Sequence, residues 1–351
     1  MNTAARSGPF RVIGVETSCD ETAVAVVEDG VRIRSNVVAS SQEFHRRFGG
    51  VVPEIASRKQ AELIGAVAQQ ALDEAGLAWE GFNAAAVTYA PGLVGSLVVG
   101  VCFAKALALA RDLPLVAVHH IEAHIYAHFL VTPPQFPFLA LVVSGGHSDL
   151  VAVRGHGEFR LLGRTRDDAP GEAFDKGARL LGLGYPGGPA IDAAAQHGDA
   201  RAVAFPRAMV DDDVRPGRSR WDFSFSGVKT ALARYLRETP EADRPSVEDL
   251  AASYQEAVVE PLAQKSLAAA LNLGFERVLV AGGVANNSRL RVLMAARAAE
   301  AGLEVRFPPP ELCTDNGAMV ASAGYFRYLR GEVAGLDLDA HASADLGRTQ
   351  A

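Results

Sequence analysis

Cysteine is scarce: 351 residues hold three thiols, at Cys19, Cys102 and Cys313. Spacing this wide excludes a disulfide framework and a CxxC metal knuckle, and a reducing cytoplasm is the simplest setting. Positive charge is also short. Against 41 Asp and Glu stand 34 Lys and Arg, a net charge of −7. No global positive field holds a polyanion, so nucleic acid would have to be met by local basic patches or a partner. Hydrophobic residues make up 49%, yet no uninterrupted apolar run reaches the length of a membrane span, and Met1 to Pro9 carry no apolar signal core. No membrane is expected. The metallopeptidase signature His-Glu-x-x-His is missing too. In His120-Ile121-Glu122-Ala123-His124 the acid falls two residues after the first histidine, about 200° around a helix and away from the histidine face.

That same segment is the strongest positive signal. Histidines at i and i+4 share one helix face, so both imidazoles reach one ion. Asp315, in Cys313-Thr314-Asp315-Asn316-Gly317, would add a carboxylate and tie the two halves of the chain together. Two His and one Asp leave coordination positions open, as a catalytic metal requires.

The chain is long enough for one large or two ordinary domains, and its pattern repeats. Strands are predicted at Val12–Thr17, Thr22–Glu28 and Val31–Ala39, and again at Phe138–Val143, Ser148–Val153 and Glu158–Leu162. Each triplet leads into helices and further strands: 53–74, 84–88, 94–110 and 115–118 first, then 172–183, 247–272, 277–280, 287–301, 304–307 and 316–330. Two copies of a β-meander followed by mixed α/β predict an α/β fold of two related lobes facing a cleft, the architecture of actin, Hsp70 and sugar kinases. The lobes are drawn at 10–135 and 136–330, with 331–351 as a flexible tail.

Several loops suit a phosphate. Ser144-Gly145-Gly146-His147 offers backbone N–H groups, or is a plain hairpin turn. Ala281-Gly282-Gly283-Val284-Ala285-Asn286-Asn287 opens a helix whose N-terminus favours negative charge, and Asn287 either caps it or donates to a ligand. Pro186-Gly187-Gly188-Pro189 reads as a rigid turn. Asp167, Asp168, Glu172 and Asp175 read first as complements to the dipole of the helix they precede or open. Ser224 to Lys229 either holds a polar ligand or caps a helix. Arg215, Arg218 and Arg220 form the clearest basic cluster, and Arg46 with Arg47 a smaller one.

Together with Glu16 to Thr22, Phe48 to Glu54, Ala90 to Leu97, Gly171 to Lys176 and Gly282 to Asn287, these motifs resemble the bacterial TsaD family from about Val12 to Arg330. The resemblance implies transfer of a threonylcarbamoyl group from threonylcarbamoyl-AMP to N6 of adenosine 37, in tRNAs reading codons that begin with A, with release of AMP. It also implies one divalent iron or zinc on His120, His124 and Asp315. The acyl-adenylate would lie against Val143, Ser144, Gly145, Gly146, His147, Asp175, Gly188, Asp192 and Asn287. Asp20, Glu21 and His147 are candidates for taking the amine proton. A TsaB-like paralogue and a TsaE-like ATPase are the implied partners. Two departures stand out: Lys59-Gln60 where the family usually has a histidine, and Phe48 for a common tyrosine. The competing readings are an ATP-dependent kinase or ATPase of the same fold, which has no need of paired histidines since Mg²⁺ prefers oxygen ligands, and a non-catalytic subunit of a larger complex.

Overall fold

The computed structural model of the protein describes residues 8–133, 135–207 and 219–346. Its elements are β1 (Arg11–Glu16), β2 (Glu21–Glu28), β3 (Arg32–Ser40), α1 (Gln42–Arg46), α2 (Pro53–Ala75), β4 (Ala84–Ala90), α3 (Val94–Arg111), β5 (Leu115–His119) and α4 (His120–Tyr126). There follow β6 (Phe138–Val143), β7 (Ser148–Gly155), β8 (Glu158–Arg164), α5 (Pro170–Leu180), α6 (Gly187–Ala195), α7 (Ser226–Glu238), α8 (Val247–Leu273), β9 (Arg277–Ala281), α9 (Ser288–Ala301), β10 (Glu304–Arg306), α10 (Pro310–Cys313) and α11 (Gly317–Leu329).

The two strand triplets lie where the apolar runs put them. β1, β2 and β4 are buried along almost their whole length, which is why they read as continuous apolar runs rather than alternations. β3, at a sheet edge, is mostly exposed, with Ser35 and Val37 its buried positions. One sheet runs β3-β2-β1-β4-β5 and the other β8-β7-β6-β9-β10. In the first, β1 is antiparallel to β2 from Arg11↔Glu28 to Glu16↔Ala23 and parallel to β4 from Val12↔Ala84. In the second, β6 is antiparallel to β7 from Phe138↔Val153 to Val143↔Ser148 and parallel to β9 from Leu139↔Val278. Order and sense repeat, so the duplication read from the sequence is present as sheet topology.

The chain divides into two compact units: Met1–Gln42, Val52–Pro134 and Asp315–Ala351 form the first, Glu43–Val51 and Gln135–Thr314 the second. This departs from the boundaries drawn on the sequence. α11 belongs with the first unit because small residues let it lie directly on β1 and β2: a Cβ on Gly14 would meet Gly317 O at 2.3 Å, and one on Gly317 would meet the backbone of Val24 and Ala25. Asp315 comes with it, so the expected bridge between two halves is instead a feature of one unit. Nor do the described residues after 330 form a loose tail. Ala334 N donates to Leu115 O (2.8 Å), His341 N to Tyr89 O (2.9 Å), and Leu338 and Ala340 are buried in the core of the first unit.

α3 is, by length and composition, long and apolar enough to cross a membrane. Here Leu97, Val101, Ala104, Leu107 and Ala108 form its buried stripe in that same core, and Lys105 interrupts its apolar sequence. The segment read as a rigid turn at Pro186–Pro189 opens α6. Gly187, Gly188 and Pro189 occupy its first turn, where backbone N–H groups have no partner within the helix, so a proline is tolerated.

Candidate functional site

The candidate metal-binding cluster is built from a strand end, a short helix and a helix start, all in the first unit. β5 ends at His119, whose Nδ1 accepts from Ile121 N (3.2 Å) and starts α4. One turn of α4 then stacks His120 under His124, ring centroids 4.6 Å apart. Asp315 precedes Asn316, whose Oδ1 accepts from Met319 N (3.0 Å) and caps α11. Asp315 Oδ1 lies 3.2 Å from His124 Nε2 and 3.7 Å from His120 Nε2, and the three donor atoms all fall within 4.8 Å of one another. Donors on a tetrahedral ion with bonds of about 2.1 Å sit about 3.4 Å apart, so the spacing fits. So does the state of His124: it is fully buried, its Nδ1 has no hydrogen-bond partner among the described residues, and its Nε2 faces only the Asp315 carboxylate at 3.2 Å. An imidazole and a carboxylate placed this way are suited to sharing an ion.

A second layer holds His120. Its Nδ1 lies 3.1 Å from Ser18 Oγ and 3.4 Å from Glu16 Oε2, the arrangement that fixes the tautomer of a ligating histidine. Glu16 is wholly buried; its carboxylate also accepts from Ser18 N (2.5 Å) and Thr88 Oγ1 (2.6 Å). Burial alone would lower the pKa of His120, but the carboxylates of Asp315 and Glu16 outweigh it and push it up to about 9. His124 is lowered, by burial first and then by the neighbouring His120, against the pull of Asp315. Glu21, on the adjoining turn, is pushed well above the usual carboxyl range by burial and by Asp20 and Asp315. Glu16 was quoted from the sequence without a role. A carboxylate closing an otherwise apolar strand was the available signal.

The candidate adenylate residues gather in the second unit, at the carboxyl ends of β6 and β9, where open α/β sheets bind ligands. Ser144 N donates to His147 O (2.9 Å), which closes the β6–β7 turn as a hairpin. The outer side of that turn is open: a Cβ on Gly145 or Gly146 would meet nothing within 4 Å, and the same holds at Gly188. Gly282 has φ of 91° and packs on Val143 O, a position only glycine fills. Gly171 N donates to Ser144 O (3.1 Å), setting the start of α5 against the hairpin. From α5, Asp175 Oδ1 accepts from Gly187 N (2.7 Å) and fixes the start of α6. Asp192 on α6 then accepts from Ser288 N and Oγ at the start of α9 (3.1 and 2.7 Å) and from Gln255 Nε2 on α8 (3.1 Å). Of the two readings of Asn287, the structure shows the cap. Its Oδ1 accepts from Leu290 N (2.9 Å) as a helix cap, while its buried Nδ2 has no partner among the described residues.

Other motifs prove architectural. Asp167 does not serve the helix that follows it. It accepts from Ser224 Oγ (2.6 Å), Phe225 N (2.8 Å) and Ser226 N and Oγ (3.2 and 2.8 Å), so it caps α7 from a distance. Asp168 gathers Lys229 and Lys176 at 2.6 and 3.2 Å. Of the basic cluster, Arg220 stacks over Trp221 at 4.7 Å, whereas Arg215 and Arg218 lie outside the described residues. Arg47 sits 4.9 Å over the exposed Phe48 ring.

The sequence matches the family model described as TsaD: tRNA N6-adenosine threonylcarbamoyltransferase over residues 32–322. Relatives carrying that name include one from Anaeromyxobacter dehalogenans (strain 2CP-C), 56% identical over 94% of this chain and 98% of its own length. Another, from Magnetococcus marinus, is 55% identical over 93% and 94%. Among solved structures, component A of the (R)-2-hydroxyglutaryl-CoA dehydratase of Acidaminococcus fermentans superposes with a TM-score of 0.55 at 12% identity, covering 91% of this chain and 99% of that one. HypF of T. kodakarensis gives 0.60 at 16%, covering 92% of this chain and 48% of that one. These two show the fold, an actin-like α/β duplication, and the first set shows more: the chain belongs to the TsaD family of tRNA N6-adenosine threonylcarbamoyltransferases.

Proposed function

We propose that this chain transfers the threonylcarbamoyl group of threonylcarbamoyl-AMP to N6 of adenosine 37 in tRNAs reading codons that begin with A. The observation that carries the site assignment is the convergence of the buried His120 and His124 with Asp315, three donor atoms within 4.8 Å of one another, in a chain of this family. In the reaction the amine nitrogen attacks the carbamoyl carbon, a C–N bond forms, and AMP leaves with the electrons of the C–O bond. The amine proton passes to a base. The mixed anhydride is already activated, so no covalent enzyme nucleophile is required; orientation and charge stabilisation suffice. Backbone N–H groups of Gly145 and Gly146 and of the Gly282 loop hold phosphate and ribose, and Asn287 Nδ2 donates to the same ligand. Asp175, Gly188 and Asp192 shape that site. An iron or zinc ion on His120, His124 and Asp315 would supply Lewis acidity. Asp20, Glu21 and His147 are the candidates for the base, and the pH profiles of kcat for Asp20→Asn, Glu21→Gln and His147→Ala distinguish them.

A cytoplasmic setting and two partners, a TsaB-like paralogue and a TsaE-like ATPase, complete the proposal. The net charge of −7 and small basic clusters supply little counterion release. Multiple-turnover modification of unmodified tRNA with threonylcarbamoyl-AMP, with and without the partners, tests it. Equal rates would remove the partner requirement, and no AMP release in either case would remove the function.

A further inference from the structure

The turn from Thr17 to Glu21 joins β1 to β2 and presents Ser18 to His120 Nδ1 at 3.1 Å. Each of its five carbonyls is hydrogen-bonded from outside the turn. Ser18 O accepts from Leu93 N (2.8 Å), and Asp20 O from Ser41 N and Oγ (3.1 and 2.8 Å). The other three converge on one side chain: Gln60 Nε2, on α2, lies 2.9 Å from Glu21 O, 3.0 Å from Cys19 O and 3.4 Å from Thr17 O. Gln60 is fully buried, and its Oε1 has no partner among the described residues. Three carbonyls around one atom fix the amide with nitrogen toward the turn, because an oxygen there would face three acceptors. The residue is arranged as a donor, even though its own acceptor goes unpaired.

We infer that Gln60 is a positioning residue for the metal centre, its carboxamide pinning the Thr17–Glu21 turn so that Ser18 orients His120 and the Asp20–Glu21 pair stays beside Asp315. This rests on the reading of His120, His124 and Asp315 as metal ligands. It also gives a role to one of the two positions where the sequence departs from its family. A flexible turn would take Ser18 from His120 Nδ1 and leave Glu16 as its remaining partner there, and loss of the groups that orient a ligating histidine typically costs 10–100-fold in metal affinity or activity.

The test uses the full chain, stripped of metal and titrated with Co²⁺, whose visible spectrum reports imidazole ligation. Gln60→Met keeps the side-chain length and removes both donors. It is expected to weaken Co²⁺ binding about tenfold, to lower kcat with little change in KM for threonylcarbamoyl-AMP, and to speed hydrogen exchange of peptides covering Thr17 to Thr22. Gln60→His returns an N–H donor and should recover most of each loss. Should Gln60→Met fail to fold, Gln60→Leu, of similar volume with no donor, is read by the same three measurements. The inference is overturned if the donor-free variant binds Co²⁺ and turns over as the parent does, or if it merely melts earlier with both unchanged. Failure of the metal reading looks different: the parent protein itself would then show no Co²⁺ spectrum that Asp315→Ala abolishes.

Discussion

Glu122 Oε2 accepts a 2.5 Å hydrogen bond from Arg327 Nη1, inside the first unit. The acid that in a zinc peptidase would face the metal is here turned to the opposite side of α4, where it is wholly buried and ties that helix to α11. Arg330 approaches the same carboxylate at 3.6 Å, and Glu332 takes the other nitrogen of Arg327 at 2.9 Å. Removing one partner of a buried pair strands the other. Glu122→Ala is expected to lower unfolding free energy by about 3 kcal/mol, measured by urea denaturation, and Glu122→Gln by less. Neither the parent nor the variants should hydrolyse peptides. A stability change below about 0.5 kcal/mol for Glu122→Ala would mean that the pair does not couple the two helices.

Removing a metal ligand separates the centre from the fold. His124→Ala and Asp315→Ala should bind zinc or iron at least tenfold more weakly than the parent, while far-UV circular dichroism stays the same. Elemental analysis after dialysis against a mild chelator reads the difference. Full occupancy in both variants would sink the assignment.

Asn287 offers a way to divide a cap from a ligand contact. Asn287→Asp keeps an oxygen for Leu290 N and replaces the unpaired Nδ2 donor with an acceptor, so α9 keeps its cap and the site loses a donor. Affinity for a non-hydrolysable acyl-adenylate analogue should fall about tenfold, one hydrogen bond to a charged or polar ligand, with little loss of stability. Asn287→Ala should lose both, with about 1 kcal/mol from the cap. Calorimetric titration showing unchanged affinity in the Asp variant would leave Asn287 a cap alone.

Asp149, opposite Arg164 in the β7–β8 ladder, is pushed up to about 6 by burial, with Arg164 pulling the other way. The sign follows from linkage. Below pH ~4 both folded and unfolded chains hold the proton and nothing is lost. Between pH ~4 and ~6 the unfolded carboxyl ionises while the folded one does not, so stability falls as pH rises through that window. Asp149→Asn has no such loss and should be more stable than the parent at pH 7 by about 1–3 kcal/mol, with the gain vanishing near pH 4. Denaturation curves at the two pH values decide it; a gain that persists undiminished at pH 4 would contradict the shift.

Strand positions, the duplicated meander, the paired histidines and the exclusion of a peptidase were all determined by the sequence, because each rests on local periodicity: alternation or continuity of apolar residues for strands, and 3.6 residues per turn for His120, Glu122 and His124. Long-range packing decided the rest. Asp315 joined the first unit because Gly14 and Gly317 let α11 settle on β1 and β2. Asp167 turned out to cap a helix almost sixty residues away rather than the one beside it. Pro186 to Pro189 became a helix start because Asp175 supplies an acceptor for Gly187 N. Gln60, on the sequence only a departure beside Lys59, acquired its meaning when α2 laid it across the carbonyls of the first turn. Hydrogen bonds between residues far apart in the chain leave no periodic trace, so only the folded arrangement reveals which polar side chain satisfies which distant backbone group.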